Sequence, residues 1–148
     1  MLSRTGTYAL QAALHLARFA GEASVSATSI ASDLDVPPTY LAKVLHRLAQ
    51  EGVLRSSRGA RGGYRLAREP SEVTVAAVVA PFQEMRPSRI CLLGGPCDLE
   101  NPCSAHERRD AWSSLALQML ESTTLADLLN GTPFTTLPTP PHAQEDAP

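Results

Sequence analysis

Apolar residues recur at helical spacing through the first part of the chain. Over residues 4–20 they fall every three or four positions, which predicts a first helix. A polar connection follows, in which Ser26 or Thr28 can cap a second, shorter helix. Pro37 and Pro38 then stop this helix. The start of the chain therefore predicts two helices joined by a polar linker.

A third helix is predicted between Pro38 and Gly52. Proline is favoured at the first position of a helix, and glycine is favoured just after the last. The segment between them is amphipathic, because its apolar and basic residues fall largely on opposite faces. The apolar face holds Leu41, Val44, Leu45 and Leu48, and the polar face holds Lys43, His46 and Arg47. Two short helices joined by a tight turn, the second of them basic, form a helix-turn-helix pattern.

A hairpin is predicted directly after the third helix. Residues 53–57 have strand character, residues 58–63 form a glycine-rich loop, and residues 64–66 return as a second strand. The loop carries Arg58 and Arg61, which are suited to a narrow minor groove of DNA, where the potential is most negative. The fold class predicted is mainly α with a small β-hairpin wing, a winged helix-turn-helix followed by a long helix.

The second half of the chain predicts more helix and a disordered end. Residues 73–82 form a short helix, and residues 105–121 form a long one. A capping-box pattern at residues 124–127 begins a last short helix, and the proline-rich tail 132–148 is expected to be disordered. The long helix carries a broad apolar stripe formed by Ala111, Trp112, Leu115, Ala116, Met119 and Leu120. Trp112 is expected to pack against other apolar groups and not to form a platform for a ligand.

Charge is unevenly distributed, although the net charge of the 148 residues is only −2. Residues 1–70 hold nine lysines and arginines against five acids, whereas residues 71–148 hold four against ten. Between Lys43 and Arg68 the only acid is Glu51. A concentrated basic stretch in an acidic chain indicates a local site for a polyanion, and together with the wing it favours DNA.

Candidate metal ligands lie between the short helix and the long one. Cys91, Cys97 and Cys103 are the three cysteines of the chain, and His106 follows the last of them. Three thiolates and an imidazole make a complete ligand set for a soft metal centre. Buried thiols would sit in apolar periodic segments, whereas these sit in a loop rich in Gly and Pro. Zinc ligands usually stand two to four residues apart, so the wider spacing here favours an iron–sulfur cluster over zinc.

Other classes of protein are disfavoured by the sequence. The apolar run at residues 8–20 is too short and too polar to cross a membrane, and no targeting segment is visible. The odd number of cysteines argues against a disulfide framework, and so for a reducing, cytoplasmic compartment. Paired carboxylates, a phosphate loop and a nucleophile–base pair are all missing from the sequence, so an enzyme is not expected. A protein-interaction module controlled by its thiols is the alternative from another class.

Five segments together resemble the Rrf-two family of bacterial winged-helix regulators. They are the N-terminal Leu-Ser-Arg-Thr-Gly-Thr-Tyr-Ala-Leu, the Pro-Thr-Tyr-Leu-Ala-Lys of the third helix, the Arg-Gly-Ala-Arg-Gly-Gly-Tyr of the wing, the cysteine loop, and the late Thr-Leu-Ala-Asp-Leu. The similarity covers roughly residues 1–131, all but the proline tail. It implies an iron–sulfur transcriptional regulator that senses redox state, oxygen, nitric oxide or cluster supply.

The resemblance also implies a cofactor. Cys91, Cys97 and Cys103 match the family's cluster ligands, and His106 matches the fourth ligand of members with a [2Fe-2S] cluster. Nitric-oxide-sensing members with a [4Fe-4S] cluster instead take a carboxylate from the partner's first helix. Residues 1–20 contain no Asp or Glu, and Thr7 occupies that neighbourhood, which favours His106 and [2Fe-2S]. Glu107 and Asp110 lie close to the site, so a [4Fe-4S] nitric-oxide-sensing repressor stays an alternative. A zinc or thiol redox regulator that acts partly through protein partners is the other alternative.

The partners implied are double-stranded DNA, as a palindromic operator, and a second copy of the chain joined through the long helix. The family's acidic recognition-helix residue is replaced by Ala42, so a switch between two operator classes is not expected. The expected units are a DNA-binding domain at 1–82, a cluster-binding loop at 83–106, a dimerisation helix with the short terminal helix at 107–131, and the tail. The expected DNA-binding residues are Thr28, Thr39, Tyr40, Lys43, Arg47, Arg58 and Arg61.

Overall fold

The structure is a computed structural model that describes residues 2–59, 62–83, 98 and 100–131. Within these ranges it is mostly helical, with one two-stranded antiparallel sheet, which confirms the predicted fold class. The helices are α1 (Arg4–Ala17), α2 (Ala27–Leu34), α3 (Pro38–Gln50), α4 (Val75–Val79), α5 (Ser104–Ser122) and α6 (Leu125–Gly131). The strands are β1 (Leu54–Ser57) and β2 (Gly63–Leu66), and 3₁₀ turns lie at Pro70–Glu72 and Ala80–Phe82.

The first helix lies at the centre of the fold. Every residue from Gln11 to Ala17 is buried, so α1 has no solvent face over its last two turns. It packs against α2, α3, α4, α6 and β2. Small side chains permit this close approach, since Ala9, Ala12 and Ala13 are each fully buried. The helix ends at Ala17, three residues before the end predicted, and Gly21 adopts a positive φ of 87° in the turn that follows.

The helix-turn-helix forms as its caps predict. The backbone N–H of Ser29 donates to the Ser26 side chain at 3.1 Å, so Ser26 and not Thr28 caps α2. Asp35 ends that helix in the left-handed region, at a φ of 53°. Pro38 opens α3, and Gly52 follows it at a φ of 75°, as expected of a residue just beyond a helix.

The wing is a short hairpin attached to the body through the linker between α1 and α2. In the register of β1 and β2, Leu54 lies opposite Leu66, and Ser56 lies opposite Tyr64. Val25 adds a single bridge to the outer side of β2, because its N–H donates to the Tyr64 carbonyl at 2.9 Å and its carbonyl accepts from the Tyr64 N–H at 2.8 Å. The wing is therefore fixed at its base.

The region after the wing matches prediction with one refinement. The backbone N–H of Ala77 donates to the Thr74 hydroxyl at 3.2 Å, which caps α4. The predicted helix over residues 73–82 is α-helical only to Val79 and continues as the 3₁₀ turn Ala80–Phe82. Pro81 lies within that turn, and because proline has no N–H it cannot extend an α-helical ladder.

The last two helices are tied to α4 at its N-terminal end. Thr74 and Thr124 form an isolated bridge, and the Leu125 N–H donates to the Val73 carbonyl at 2.9 Å. The predicted capping box is confirmed, because the Thr124 N–H donates to Asp127 at 2.8 Å and the Asp127 N–H donates to the Thr124 hydroxyl at 3.1 Å. The N–H donation from Thr124 lowers the pKa of the Asp127 carboxyl below its ordinary value. The tail 132–148, predicted to be disordered, lies outside the described residues.

None of the helices in the described ranges is long and apolar enough to cross a membrane.

Gly63 is expected to be essential for the wing. A Cβ at this position would fall on the backbone carbonyl of Val25 and lie 3.0 Å from the Ser26 nitrogen. Gly63→Ala should therefore break the bridge at Val25 and cost about 1–3 kcal/mol of unfolding free energy, measured by urea denaturation. Gly131→Ala is the control, because a Cβ there meets nothing within 4 Å. Equal stability of the two variants would contradict this account of the wing base.

His15 is buried in α1 and should make stability depend on pH. Burial lowers its pKa below 6.5, and Arg18 lowers it further, while Asp33 acts in the opposite direction. The Nε2 atom lies 3.4 Å from the Asp33 carboxylate, but without the geometry of a hydrogen bond. Below pH 6.5 the unfolded chain therefore binds more protons at this residue than the folded chain does, so the contribution of His15 to stability falls as pH falls.

The measurement is the free energy of unfolding from about pH 7.5 to about pH 5, a range that brackets ordinary histidine titration. His15→Gln should flatten the loss of stability between pH 6.5 and the lowered pKa of His15. His46→Gln, at an exposed position of α3, is the matched control for the substitution. A slope that survives His15→Gln would assign the pH dependence to other groups.

Candidate functional site

The third helix presents a polar face to solvent. Its apolar side chains, Leu41, Val44, Leu45 and Leu48, are buried as predicted. Pro38 starts the helix so that Thr39 and Lys43 come to the opposite, exposed face, followed by His46 and Arg47. A helix with one face anchored in the core and a basic face free is the arrangement by which helix-turn-helix proteins enter a major groove.

Tyr40 is half-buried at the edge of that face. Its hydroxyl shares a hydrogen bond of 2.6 Å with the Thr5 hydroxyl, and its ring meets Tyr8 edge to face at 5.6 Å between centroids. The side chain therefore fixes α3 against the first two turns of α1. Tyr40 is thus predicted to contact DNA and also stabilises the packing of α3 on α1.

The other predicted contacts on this side are exposed. Arg47 forms an ion pair with Glu51 at 3.0 Å, one helical turn away, and both side chains are about half exposed. Such a surface pair contributes at most about 1 kcal/mol, so Arg47 can exchange its carboxylate for a phosphate at little cost. Thr28 lies exposed in the first turn of α2, where its hydroxyl takes no part in the cap.

The wing tip carries a solvent-exposed arginine. Arg58 is exposed, and Gly59 next to it has a φ of 106°, a conformation that favours glycine. Gly62 closes the turn through a hydrogen bond of 2.9 Å from its N–H to the Gly59 carbonyl. Arg61, the second predicted wing residue, lies outside the described residues.

The start of α5 carries two of the four predicted metal ligands. Cys103 is the residue before the helix, and its carbonyl accepts hydrogen bonds from the N–H groups of His106 at 2.9 Å and Glu107 at 3.1 Å. The helix cap therefore fixes the backbone between Cys103 and His106. Cys103 is exposed and His106 is buried, with 4% of its surface accessible. Cys91 and Cys97 lie outside the described residues.

His106 is oriented by a carboxylate. Its Nε2 lies 3.3 Å from Asp110, one turn along α5. Its Nδ1 is buried and has no hydrogen-bond partner within the described part of the chain. Histidines that bind metals usually direct the second ring nitrogen to a carboxylate, which orients the ring. His106 therefore fits a metal ligand through Nδ1, although residues 2–59, 62–83, 98 and 100–131 hold by themselves no group of three metal-binding side chains.

The alternative position for a fourth ligand, on α1, is otherwise occupied. Thr7 donates its hydroxyl hydrogen bond to the Ser3 carbonyl at 3.1 Å, within its own helix. Because no Asp or Glu occurs in residues 1–20, α1 offers no carboxylate for a partner's metal. The structure thus gives no support to a carboxylate ligand from this helix.

The first turn of α1 makes hydrogen bonds both to α3, the predicted recognition helix, and to the residues that precede the cysteine loop. The Ser3 N–H donates to the Gln83 side chain at 2.7 Å, and the Ser3 hydroxyl contacts the Phe82 carbonyl at 3.2 Å. The same turn holds Thr5, the partner of Tyr40. Sequence reasoning missed Ser3 and Gln83, because they lie 80 residues apart and neither belongs to a motif that would signal the contact.

An exposed apolar surface lies on α5. Trp112, Leu115 and Met119 are accessible over 71%, 57% and 61% of their surfaces. They project from one face of the helix, whereas His106, Leu117 and Leu120 lie on the less accessible side. The apolar stripe predicted from the sequence is therefore largely uncovered within a single chain. We call Trp112, Leu115 and Met119 the α5 patch.

These features define a winged-helix DNA-binding regulator, and comparison with known proteins places it further. Residues 2–131 match the Rrf2 family, described as an iron-dependent transcriptional regulator. The chain belongs to this family, and the resemblance found in its sequence is confirmed. It is 32% identical to the HTH-type transcriptional regulator NsrR of Geobacillus kaustophilus over 128 residues, which cover 82% of this chain and 84% of that protein.

Solved structures agree with this assignment. The global cysteine regulator CymR of B. subtilis superposes with a TM-score of 0.78 at 28% identity, covering 89% of this chain and 98% of that one. IscR of T. potens gives a TM-score of 0.72 at 29% identity, covering 88% of this chain and 87% of that one. The family consists of DNA-binding transcriptional regulators, so the prediction that the chain is not an enzyme is confirmed. The similar proteins thus include a global cysteine regulator as well as IscR and NsrR, so membership of the family does not by itself assign a cofactor.

Proposed function

We propose that this regulator is a homodimer that senses through a [2Fe-2S] cluster held by Cys91, Cys97, Cys103 and His106. The observation that carries the proposal is the buried Nδ1 of His106, which has no hydrogen-bond partner within the described residues. A buried polar atom left unpaired costs about 1–3 kcal/mol, so a side chain held in this way fits one that has a ligand to bind.

The ligand set determines what such a cluster would sense. An iron–sulfur cluster supplies reversible electron transfer, and exchanging cysteine for histidine raises its reduction potential. Asp110 holds the His106 ring, and the cap at Cys103 holds the backbone between the two ligands. Redox state, oxygen, nitric oxide and cluster supply are the classes of signal compatible with this donor set.

Operator DNA is read by α3 and the wing. Thr39, Lys43 and Arg47 meet the major groove and its phosphates, with Tyr40 at their edge and Thr28 at the start of α2. Arg58 and Arg61 reach the minor groove from the wing. In a homodimer the two recognition helices face half-sites about 34–36 Å apart, which is the reason for expecting a palindrome.

The second copy covers the α5 patch. Three large apolar side chains exposed on one helix face form the kind of surface that soluble proteins use for association. A two-fold arrangement would place the same patch on both partners and bury Trp112 between them. The proposed ligands Cys103 and His106 begin this same helix, so the metal site would lie at one end of the dimer contact.

Coupling between the sensing and reading elements runs through α1. Gln83 immediately precedes the segment that carries Cys91 and Cys97, and it accepts a hydrogen bond from Ser3. Ser3 caps the helix whose Thr5 binds Tyr40 of the recognition helix. A shift of Gln83 would therefore move the turn against which α3 is packed. This is a packed and hydrogen-bonded connection with named groups, of the kind that can carry coupling free energy.

The cluster is tested on protein purified without air. We expect a coloured protein with equal amounts of iron and inorganic sulfide and a [2Fe-2S] paramagnetic resonance signal after reduction. His106→Cys should retain the cluster and lower its reduction potential, because thiolate replaces imidazole. His46→Cys, on the exposed face of α3, is the control.

Other outcomes assign the site differently. A colourless protein with stoichiometric zinc would reject the cluster, and a [4Fe-4S] spectrum would reject its type. An unchanged potential in His106→Cys would remove His106 from the ligand set while leaving the cysteines in place.

Dimerisation is tested by sedimentation. Trp112→Glu places a charge in the α5 patch and should convert the protein to monomers, since burying an unpaired carboxylate in an interface is strongly unfavourable. Ser114→Glu is the control, because it adds the same charge to the same helix on a different, polar face. Identical sedimentation of both variants would locate the interface elsewhere.

A further inference from the structure

Two arginines face each other across the strands of the wing. Arg55 of β1 pairs with Arg65 of β2 in the antiparallel register, and both side chains are exposed. Like charges directly opposite each other in a sheet are destabilising. Their neighbours in the register, Leu54 and Leu66, point to the other face, toward the core. The sheet therefore presents a two-arginine pair on its outer surface.

Within the described structure, no carboxylate lies within ion-pair distance of either arginine. Ion pairs within 4 Å were found there for Arg47, His15 and His106, but not for Arg55, Arg65 or Arg68. The acids that follow the hairpin, Glu69 and Glu72, are engaged in a reciprocal capping box with each other's backbone N–H groups. Each of these carboxylates is thus engaged through a hydrogen bond within the 3₁₀ turn.

The arginines line one groove. Arg55, Arg65 and Arg68 border a cavity of about 340 Å³ whose lining also includes Phe19, Leu66 and three glutamates, Glu22, Glu69 and Glu72. Its wall is formed by the hairpin on one side and by the turn after α1 on the other. Three guanidinium groups around one concavity offer the fork geometry that matches phosphate. We call this concavity the wing-base groove.

The position of the groove indicates where a phosphate would come from. Arg55 lies three residues before Arg58 of the wing tip, or about 10 Å along a strand. The hairpin thus carries positive charge both at its tip and along its outer surface. A duplex that receives the tip in its minor groove has its backbone phosphates on either side of that groove.

We infer that the wing-base groove binds a phosphate group, with Arg55 and Arg65 as the clamp and Arg68 beside them. The expected source is a backbone phosphate of the bound DNA, outside the base pairs met by Arg58. A free phosphate-bearing small molecule presents the same chemistry to the same residues. The inference rests on the proposed DNA contacts only where the phosphate belongs to DNA. Binding of a free phosphate would not require those contacts.

The first arm of the test uses duplex DNA of random sequence, because phosphate contacts do not depend on sequence. Arg55→Gln with Arg65→Gln should reduce the log–log slope of affinity against salt by ~0.9, the value for a single shared phosphate. At 0.1 M salt this corresponds to roughly eightfold weaker binding. Ser114→Glu with Asn130→Asp, at exposed positions of α5 and α6, controls for the change of two units in net charge.

The second arm uses inorganic phosphate without DNA, at constant ionic strength set by chloride. Thermal unfolding of the wild type and of the double variant is compared as phosphate replaces chloride. The double variant without phosphate should be at least as stable as the wild type, because it loses a like-charge contact. This result would separate loss of binding from loss of fold.

The outcomes are distinct. A reduced slope in the double variant, without stabilisation by phosphate, supports the DNA backbone as the source. An unchanged slope, with phosphate stabilising only the wild type, supports a free phosphate ligand. No difference from the charge-matched control in the first arm and none between wild type and double variant in the second would overturn the inference. Failure of the wild type to bind DNA at all would instead reject the proposed DNA contacts.

Discussion

The burial of the last two turns of α1 on all sides is the constraint on which the rest of the structure depends. Seven consecutive residues without a solvent face require that every neighbouring element pack against this helix. Its alanines keep those elements close, because a larger side chain at Ala12 or Ala13 would force them apart. The free end of α1 is its first turn, and that turn makes the polar contacts to Gln83 and to Tyr40. The last two turns of α1 therefore serve packing, whereas its first turn makes the polar contacts to other elements.

The same constraint divides the molecule by charge. The apolar faces of α2, α3 and α4 pack against α1. The basic residues of the first 70 positions therefore lie on the outer surfaces of α3 and of the hairpin. The hairpin is held at its base by Val25 and Gly63, where no Cβ fits. Arginines on a fixed base act as positioned charges, and they lose less conformational freedom on binding than arginines on a mobile loop would.

Local signals in the sequence were sufficient for most of the fold. Ser26, Pro38, Gly52 and the Thr124–Asp127 box each acted as an N- or C-terminal signal whose partners lie within a few residues. What could not be predicted depends on distant pairing. Ser3 and Gln83 meet across 80 positions, and the orientation of α5 decides that the predicted apolar stripe faces outward. Periodicity reports that a helix has an apolar face, but not which chain covers it.

The candidate metal site could likewise be predicted only in part from the sequence. Residue types and spacing indicated a soft metal centre, and the position of Asp110 near it could be read from the sequence. The burial of His106 and the orientation of its two nitrogens required the fold, because they depend on how α5 packs against its neighbours. The composition of α1 also limits where a fourth metal ligand can come from. A helix without acids, whose Thr7 hydroxyl is bound to its own backbone, cannot supply a carboxylate to a partner. Among the described residues His106, held by Asp110 one turn further along α5, is the side chain that fits a fourth protein ligand.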